Sequence, residues 1–428
     1  MTEYPTRWDV VELGSCLNRI DAGNSPDLPD RPAGPGEWGV LKVSAIRPAG
    51  FDAVENKAVT NSAFVDPRAE VRDGDLLITR ANTPQLVGLA CYVESPPERL
   101  LLCDKTLRLV VDERLLIGKF AGYVLAAASV RKQIEASGTG SSGSMKNISQ
   151  ADIRSLRFPL PSVCEQKRII EFIDAADESI RSQELLIAKL EAAKDGAIAQ
   201  LMTHGTACAD GDGACRLSQA SRGHVRSDWR VGSVGQFGEV RLGRQRSPQH
   251  EIGAFMKPYL RVANVFDGYI DTSDVLEMNF SISEQEVYSV RSGDLLLNEG
   301  QSLDLVGRCA KYDGPDGMYC FQNTLIRYRC SDLLEPDFAY YVFSWWLKTR
   351  RFADVAKQTT SIAHLGADRF AKMEMAVPNV AEQRRICSIL MSYVERVRAA
   401  RVELAKLRRV KFGMVDDLLS GRTDVGRV

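Results

Sequence analysis

Three groups of residues have types and spacings that could do chemistry. Pro26 and Asp27, followed by Glu55, Asn56 and Lys57, set two carboxylates and a lysine in an order that suits metal-dependent phosphodiester cleavage, with the acids holding a divalent ion and the lysine assisting the attacking water. The pattern is short, its first part lies in a proline-rich stretch, and the second half of the chain lacks it. His204, Cys208, Cys215 and His224 are the one cluster of soft metal ligands, but their irregular spacings in a glycine-rich linker argue against a metal site. The third group is polar and basic. "RLGRQRSP", Arg241 to Pro248, places three arginines beside a glutamine in a turn-rich segment, and arginine chelates guanine while glutamine or asparagine chelates adenine in the major groove.

Other segments could join that third group. "ITRANTPQ" and "LNEGQSLD" put polar residues just after an apolar run, and "GTGSSGSMKN" and "KQTTSIAH" are small-residue loops whose N–H groups can approach phosphates. Loop position and side-chain chemistry nominate Arg80, Asn82, Thr139 and Ser142 in the first half, and Arg241, Arg244, Gln245, Arg246, Asn298, Gln301 and Thr359 in the second. A solvated loop is the bland alternative for each of them. If Arg244 or Gln245 reads a base, replacing it costs about 1 to 3 kcal/mol of discrimination. Enzyme signatures are otherwise missing: there is no G-x-G-x-x-G, Walker loop or Asn-Pro-Pro-aromatic motif, and none of the four histidines is spaced for a nucleophile.

These candidates must be held by something, and the chain provides it twice. "RDGDLLITRANT" (Arg72 to Thr83) matches "RSGDLLLNEGQS" (Arg291 to Ser302) at an offset of 219, as "LKVSAI" matches "LRVANV" and "LVG" at Leu86 matches "LVG" at Leu305. "KTLRLV" and "NTLIRY" follow at 218, and Trp8 answers Trp229. "PLPSVCEQKRII" and "AVPNVAEQRRIC" close the two halves with the same E-Q-[KR]-R-I phrase. Order and spacing are kept throughout, which marks a duplication. Short β-branched runs, many glycines and prolines, and helices expected over Leu116 to Ile134 and Asp337 to Ala356 give each half an α+β reading. "GDLLI" and "GDLLL" read as a turn feeding a buried strand.

After each phrase comes a heptad seam. Ile169, Ile173, Ala176, Ile180, Gln183, Ile187, Leu190, Lys194, Ala197 and Leu201 alternate in steps of four and three, and so do Ile386, Leu390, Tyr393, Val397, Ala400, Leu404, Leu407, Lys411, Met414 and Leu418, each 217 residues on. Apolar residues every 3.5 positions specify paired helices, and the equivalent lysines at 194 and 411 weaken the seam while fixing its register. Glu165 to Met202 carries eight acidic and five basic residues, and Glu382 to Leu419 five acidic and nine basic. Each helix therefore suits the other better than itself. Since the first leaves the first half and the second must run back, the pair is expected to be antiparallel and about 57 Å long.

Bulk numbers fit this organisation. At 428 residues the chain exceeds one core, and the expected division is 1–160 globular, 161–203 helix, 204–228 linker, 229–378 globular and 379–420 helix. With 44% hydrophobic and 26% charged residues, no apolar stretch near the roughly 18 residues of a membrane span and no secretory pattern at Met1, a cytoplasmic location is expected. Ten cysteines without C-x-x-C spacing read as small buried hydrophobes. A net charge of −1 does not advertise a nucleic-acid binder, since indiscriminate phosphate binding normally leaves a basic excess, so any DNA contact must come from local patches or from a partner.

The two E-Q-[KR]-R-I helix starts, "GDLLI" and "GDLLLNEGQS", "LVGR", "CFQNTLIR" and "PYLRVANVFDGYID" resemble the specificity subunits of type I restriction-modification enzymes, over essentially the whole chain. The resemblance implies two target-recognition domains that read the halves of a bipartite, asymmetric double-stranded DNA site, separated by a pair of long antiparallel coiled-coil helices with an internal two-fold repeat. It further implies that the helices act as a ruler and dock two adenine methyltransferase subunits. Catalysis and cofactors would then belong to partners: S-adenosylmethionine in the methyltransferases, ATP and magnesium in motor nuclease subunits, and none on this chain. A metal-dependent nuclease built on Asp27, Glu55 and Lys57, a DNA-recognition scaffold of another phage-defence complex, and a plain scaffold remain the competing readings.

Overall fold

A computed structural model describes residues 8–48, 50–139, 145–206, 217–220, 223–358 and 361–423. Four residues singled out above, Ser142, Cys208, Cys215 and Thr359, lie outside them. The chain divides into two units: Met1–Glu184 with Val402–Val428, and Leu185–Arg401.

In the first unit β1 (Leu17–Ala22), β2 (Leu76–Thr79), β3 (Ala81–Asn82), β4 (Ala90–Tyr92), β5 (Thr106–Val111) and β6 (Lys146–Asn147) carry the site. Four of them form an antiparallel sheet in the order β1-β5-β2-β4. "GDLLI" explains itself here. Gly74 takes φ +85, a turn conformation that favours glycine, and the Asp75 carboxylate accepts from Arg72 N at 2.8 Å to close the turn. Leu76 and Ile78 then face one cluster with Leu109, Phe120 and Val124, while Leu77 faces another with Leu41, Ile46 and Val93. A strand covered on both faces reads as a continuous apolar run. Helix α1 (Gly118–Ala126) packs on the first of these faces, and α2 (Val163–His204) begins beside it, with Ile169 and Ile173 fully buried in the same cluster.

The second unit repeats the arrangement with β7 (Gly238–Leu242), β8 (Leu295–Asn298), β9 (Gly300–Gln301), β10 (Cys309–Lys311), β11 (Leu325–Cys330), β12 (Lys357–Gln358) and β13 (Ala363–His364). The sheet order is β7-β11-β8-β10. Gly293 has φ +88 and Asp294 accepts from Arg291 N at 2.7 Å. Leu295 and Leu297 face the larger cluster and Leu296 the smaller one. Helix α3 (Pro336–Lys348) packs as α1 does, and α4 (Val380–Leu419) opens with Ile386 and Leu390 buried.

Two sequence expectations change. The helices expected over Leu116–Ile134 and Asp337–Ala356 are each broken, at Ala127 (ψ 143) and at Arg350 (φ +61), so that Val130 and Ile134 in one unit and Phe352 in the other turn into the core. Strand pairing also shifts the alignment of "KTLRLV" with "NTLIRY" by one residue. Leu107 sits opposite Ile78 as Ile326 sits opposite Leu297, so Arg108 corresponds to Arg327. Both arginines are buried and donate to backbone carbonyls, Arg108 to Arg68 O and Glu70 O and Arg327 to Val287 O and Ser289 O.

The repeated E-Q phrase has a mechanical cause. Gln166 and Gln383 are 0% exposed. Gln166 Oε1 accepts from Ile117 N at 2.9 Å, and Nε2 donates to Leu115 O at 2.8 Å and Pro161 O at 2.9 Å. Gln383 does the same with Glu335 N at 2.8 Å, Leu333 O at 2.9 Å and Pro378 O at 2.8 Å. One carboxamide thus satisfies the loop that enters α1 or α3 and the turn that starts the long helix, groups that would otherwise be buried unpaired.

Within each unit the two long helices run antiparallel. In the first, Lys411 pairs with Asp177 and Arg408 with Glu184, and Leu418 joins Ile169 and Ile173 in the core. Ile180, Leu404, Leu407 and Lys411 are half-buried, whereas Glu178, Ser179 and Arg409 are exposed. In the second, Arg401 pairs with Glu191. Leu190, Ile198, Leu201, Ile386, Leu390, Val397 and Ala400 are buried there, and Ile187 and Lys194 half-buried. Among the described residues the three cross-helix ion pairs all run from cationic α4 to anionic α2. Lys194 has no ion pair among the described residues; the position corresponding to Asp177 is Val394.

Candidate nucleic-acid interface

Immediately after the buried strand of "GDLLI" the backbone is pinned on all sides. Thr79 Oγ1 donates to Leu86 O and accepts from Leu89 N, and Gly88 N donates to Thr79 O at 2.8 Å. This is the role of "LVG": Gly88 (φ +66) and Gly307 (φ +84) lie so close to the Ile134 side chain and the Phe352 ring that an added Cβ would sit 2.5 and 2.3 Å from them. The chain leaves this knot as a short polar ladder. Arg80 N donates to Lys105 O and Ile148 N to Arg80 O, Asn82 pairs with Lys146 across β3 and β6, and Thr139 exchanges two backbone bonds of 2.9 Å with Asn147. Arg80, Thr139, Lys105 and Asn147 are exposed, and Asn82 and Lys146 half-exposed.

The same ladder stands in the second unit with different chemistry. Glu299 N donates to Thr324 O and Leu365 N to Glu299 O, while β13 pairs with β9 and β12. By register Arg80 corresponds to Glu299, Lys105 to Thr324, Asn82 to Gln301, Lys146 to Ala363, Asn147 to His364 and Thr139 to Lys357. Glu299 Oε2 lies 3.0 Å from His364 Nδ1. One unit therefore presents three cations and asparagines. Its counterpart presents a carboxylate with an imidazole, a lysine and a glutamine. On the adjoining edge strand the signs also reverse, with Arg19 and Asp21 on β1 where Glu239 and Arg241 stand on β7.

Arg80, Asn82 and Thr139, up to 59 residues apart, are thus brought together. Gln301 lies in the corresponding ladder. Arg241 is exposed and bonded to Glu239 at 2.6 Å, Arg246 is exposed and paired with Glu251 at 3.0 Å, and Gln245 is exposed. Two nominations need correction. Asn298 is 0% exposed, its Nδ2 aimed at Val265 O, so it is turned into the unit rather than presented on the surface. Arg244 is also buried: it pairs with Glu284 at 2.7 Å, donates to Asn279 O and lies 5.0 Å from the Phe280 ring centroid, so its guanidinium is committed inside the unit. Sequence reasoning missed Lys105, Lys146, Asn147, Lys357 and His364, because strand register alone carries them beside Arg80 or Gln301.

Glu55 and Lys57 of the nuclease-like order have other partners. Glu55 accepts from Ser44 Oγ and lies 3.3 Å from Arg47, Lys57 lies 3.9 Å from Asp30, and Asp27 makes no hydrogen bond or ion pair among the described residues. No group of three or more metal-ligating side chains is found among the described residues. Five of the eight described cysteines are buried, and burial pushes the Cys320 thiol up to about 11.

Residues 98–192 and 226–407 match the family model described as the type I restriction modification DNA specificity domain. The chain belongs to that family. Among curated members of this specificity family, the EcoEI specificity subunit of Escherichia coli is 34% identical over 174 residues, 40% of this chain and 29% of that protein. The EcoKI specificity subunit of Escherichia coli K12 is 23% identical over 81% of this chain and 73% of that one. A putative MjaX specificity subunit of Methanocaldococcus jannaschii is 22% identical over 46% and 47%. The match thus spans under a third of the EcoEI subunit and about half of the MjaX one. The fold is likewise that of two solved chains. A chain from a structure on complex assembly and conformational transition of the type I R-M system aligns over 99% of this chain and 100% of its own, with a TM-score of 0.62 at 18% identity. The HsdS subunit of Thermoanaerobacter tengcongensis aligns over 98% of both chains, with a TM-score of 0.54 at 17% identity. No described helix is long and apolar enough to cross a membrane.

Proposed function

We propose that this chain is the non-catalytic sequence-recognition subunit of a type I restriction-modification complex, each unit reading one half of a bipartite, asymmetric DNA site. The observation that carries the reading is the polar ladder that recurs on the same scaffold with exchanged side chains. Equal frames with unequal chemistry suit two different half-sites. Arg80 has the fork for guanine, Asn82 and Gln301 the amide for adenine, and a carboxylate such as Glu299 accepts from a cytosine amino group. Lys105, Lys146 and Lys357 suit phosphate contacts that set register. The same reading takes 1–160 and 229–378 as the recognition domains and the long helices as the docking surface for two methyltransferase subunits. Off-seam apolar residues support that docking: Val402, Val410 and Phe412 in the first unit, and Leu185, Leu186, Met391 and Val394 in the second, are exposed. S-adenosylmethionine would then be held by the methyltransferases, and ATP and magnesium by motor subunits.

Adenine methylation mapped genome-wide in cells with and without the gene for this chain tests the reading. One motif of two fixed blocks around an unread gap, lost with the gene, is expected. Methylation that is unchanged by the deletion overturns it.

A further inference from the structure

The two units differ where α1 and α3 end. Helix α3 has 13 residues and α1 has nine. The additional turn of α3 carries Trp345 and Trp346, with Trp346 buried against Phe343 and Phe352, and its last residue, Lys348, pairs with Asp195 of α2. At an offset of 218 the first unit has Gly122, Ala127 and Ala128 where the second has Tyr340, Trp345 and Trp346. The position of Asp195 is taken by Phe412, which is 77% exposed. The consequence is a cleft of about 690 Å³ in the first unit, bounded by Gly122, Ala126 and Ala127 on one side and by Ile180, Phe412 and Val415 on the other.

Charges around the cleft are matched with one exception. Lys119 pairs with Glu94 and Asp174, Tyr123 donates to Asp174, Lys411 pairs with Asp177, and Asp416 pairs with Arg422. Arg181 lines the same cleft, is exposed, and has no carboxylate partner among the described residues. An occupant therefore gains by burying an apolar knob against Phe412 and the alanines and by bringing a carboxylate to Arg181. In the second unit the longer α3 carries two tryptophans at the corresponding positions and ends in an ion pair with the long helix, which is the chemistry such an occupant would bring.

We infer that the cleft of the first unit docks a helical turn of the methyltransferase partner that carries an aromatic side chain and a carboxylate, and that the second unit, where α3 is a turn longer and carries tryptophans at the corresponding positions, does not dock it in the same way. The inference rests on the functional reading above. Its consequence is that two copies of one partner bind this chain unequally. The test uses the full chain and the purified methyltransferase subunit, with both binding events followed by calorimetry and native mass spectrometry. Ala126→Trp plugs the cleft, and Phe412→Asp removes the exposed aromatic without touching the core; circular dichroism checks that each is folded. Each variant is expected to weaken one binding event about tenfold or more and leave the other unchanged, as loss of a central aromatic anchor does. Unchanged affinity at both events, or equal weakening of both, overturns the inference alone. If Phe412→Asp instead abolishes self-association of the chain, the occupant is a second copy and the inference falls. Absence of any methyltransferase binding to the unaltered chain overturns the functional reading and this inference with it.

Discussion

Gln166→Leu tests the claim that the repeated helix start is a mechanical clamp. Leucine has about the volume of glutamine, so the substitution leaves little cavity and isolates the polar loss. Three backbone groups lose their partner: Ile117 N, Leu115 O and Pro161 O, held at 2.8 to 2.9 Å by a side chain with no exposure. An unsatisfied buried group costs about 1 to 3 kcal/mol. Local relaxation and the gain from burying an apolar side chain offset part of that, which leaves a net loss of about 3 kcal/mol in the first unit. Urea unfolding followed by tryptophan fluorescence is the assay, with amide exchange at Ile117 as the local readout for the first unit. Gln383→Leu should produce the same loss in the second unit and free the Glu335 amide. Lys167→Leu, one residue along and exposed, should stay within about 0.5 kcal/mol. A loss under about 1 kcal/mol for both glutamines, with Ile117 exchange unchanged, would refute the clamp.

Arg244→Ala should destabilise the second unit by about 2 to 4 kcal/mol, because it strands Glu284 and the Asn279 carbonyl, without changing the preferred bases; urea midpoints and a base-substitution panel separate the two effects. Lys105→Ala and Lys146→Ala should each lower the slope of log affinity against log salt by about 1 while preserving the preferred sequence. Arg80→Ala should relax preference in the first half-site by about 1 to 3 kcal/mol and leave the second untouched, as read by gel shift on half-site variants. The seam lysines should part company. Lys194→Leu is expected to stabilise the helix pair by about 0.5 to 1 kcal/mol, whereas Lys411→Leu leaves Asp177 without its partner and gains nothing in thermal unfolding.

Much of the fold was legible because it rests on local patterns. A 3.5-residue apolar period, a turn glycine before a fully apolar run and a phrase repeated at 217 residues are each properties of neighbouring residues. What could not be read was the ladder. Lys146 reaches Asn82 through strand pairing across 64 residues, and His364 meets Glu299 only because β13 lies beside β9. The nominations that failed did so for one reason. Asn298 and Arg244 have the chemistry of base readers, but Asn298 ends β8 and Arg244 lies two residues beyond β7, and at both places burial, not residue type, decides which way a polar group points. Asn298 is the last residue of β8, and Gln301, three residues on, is the one presented.

The separation between what is fixed and what varies follows from the geometry of a strand. On β2 and β8 the inward residues are leucines and isoleucine, turned into clusters on both faces, and Thr79 and Asn298 end them buried. The residue that follows is held by backbone bonds that do not depend on its side chain: Arg80 and Glu299 make the same two, one to the residue that leads into β5 or β11 and one from the residue that follows β6 or β13. Exchanging arginine for glutamate there reverses the local charge without removing any bond that holds the frame. An apolar substitution inside the strand would instead be felt by two cores at once. On the proposed reading, such a module would change the bases it prefers while its stability is carried elsewhere, by the sheet and by the buried glutamine that joins it to the long helix.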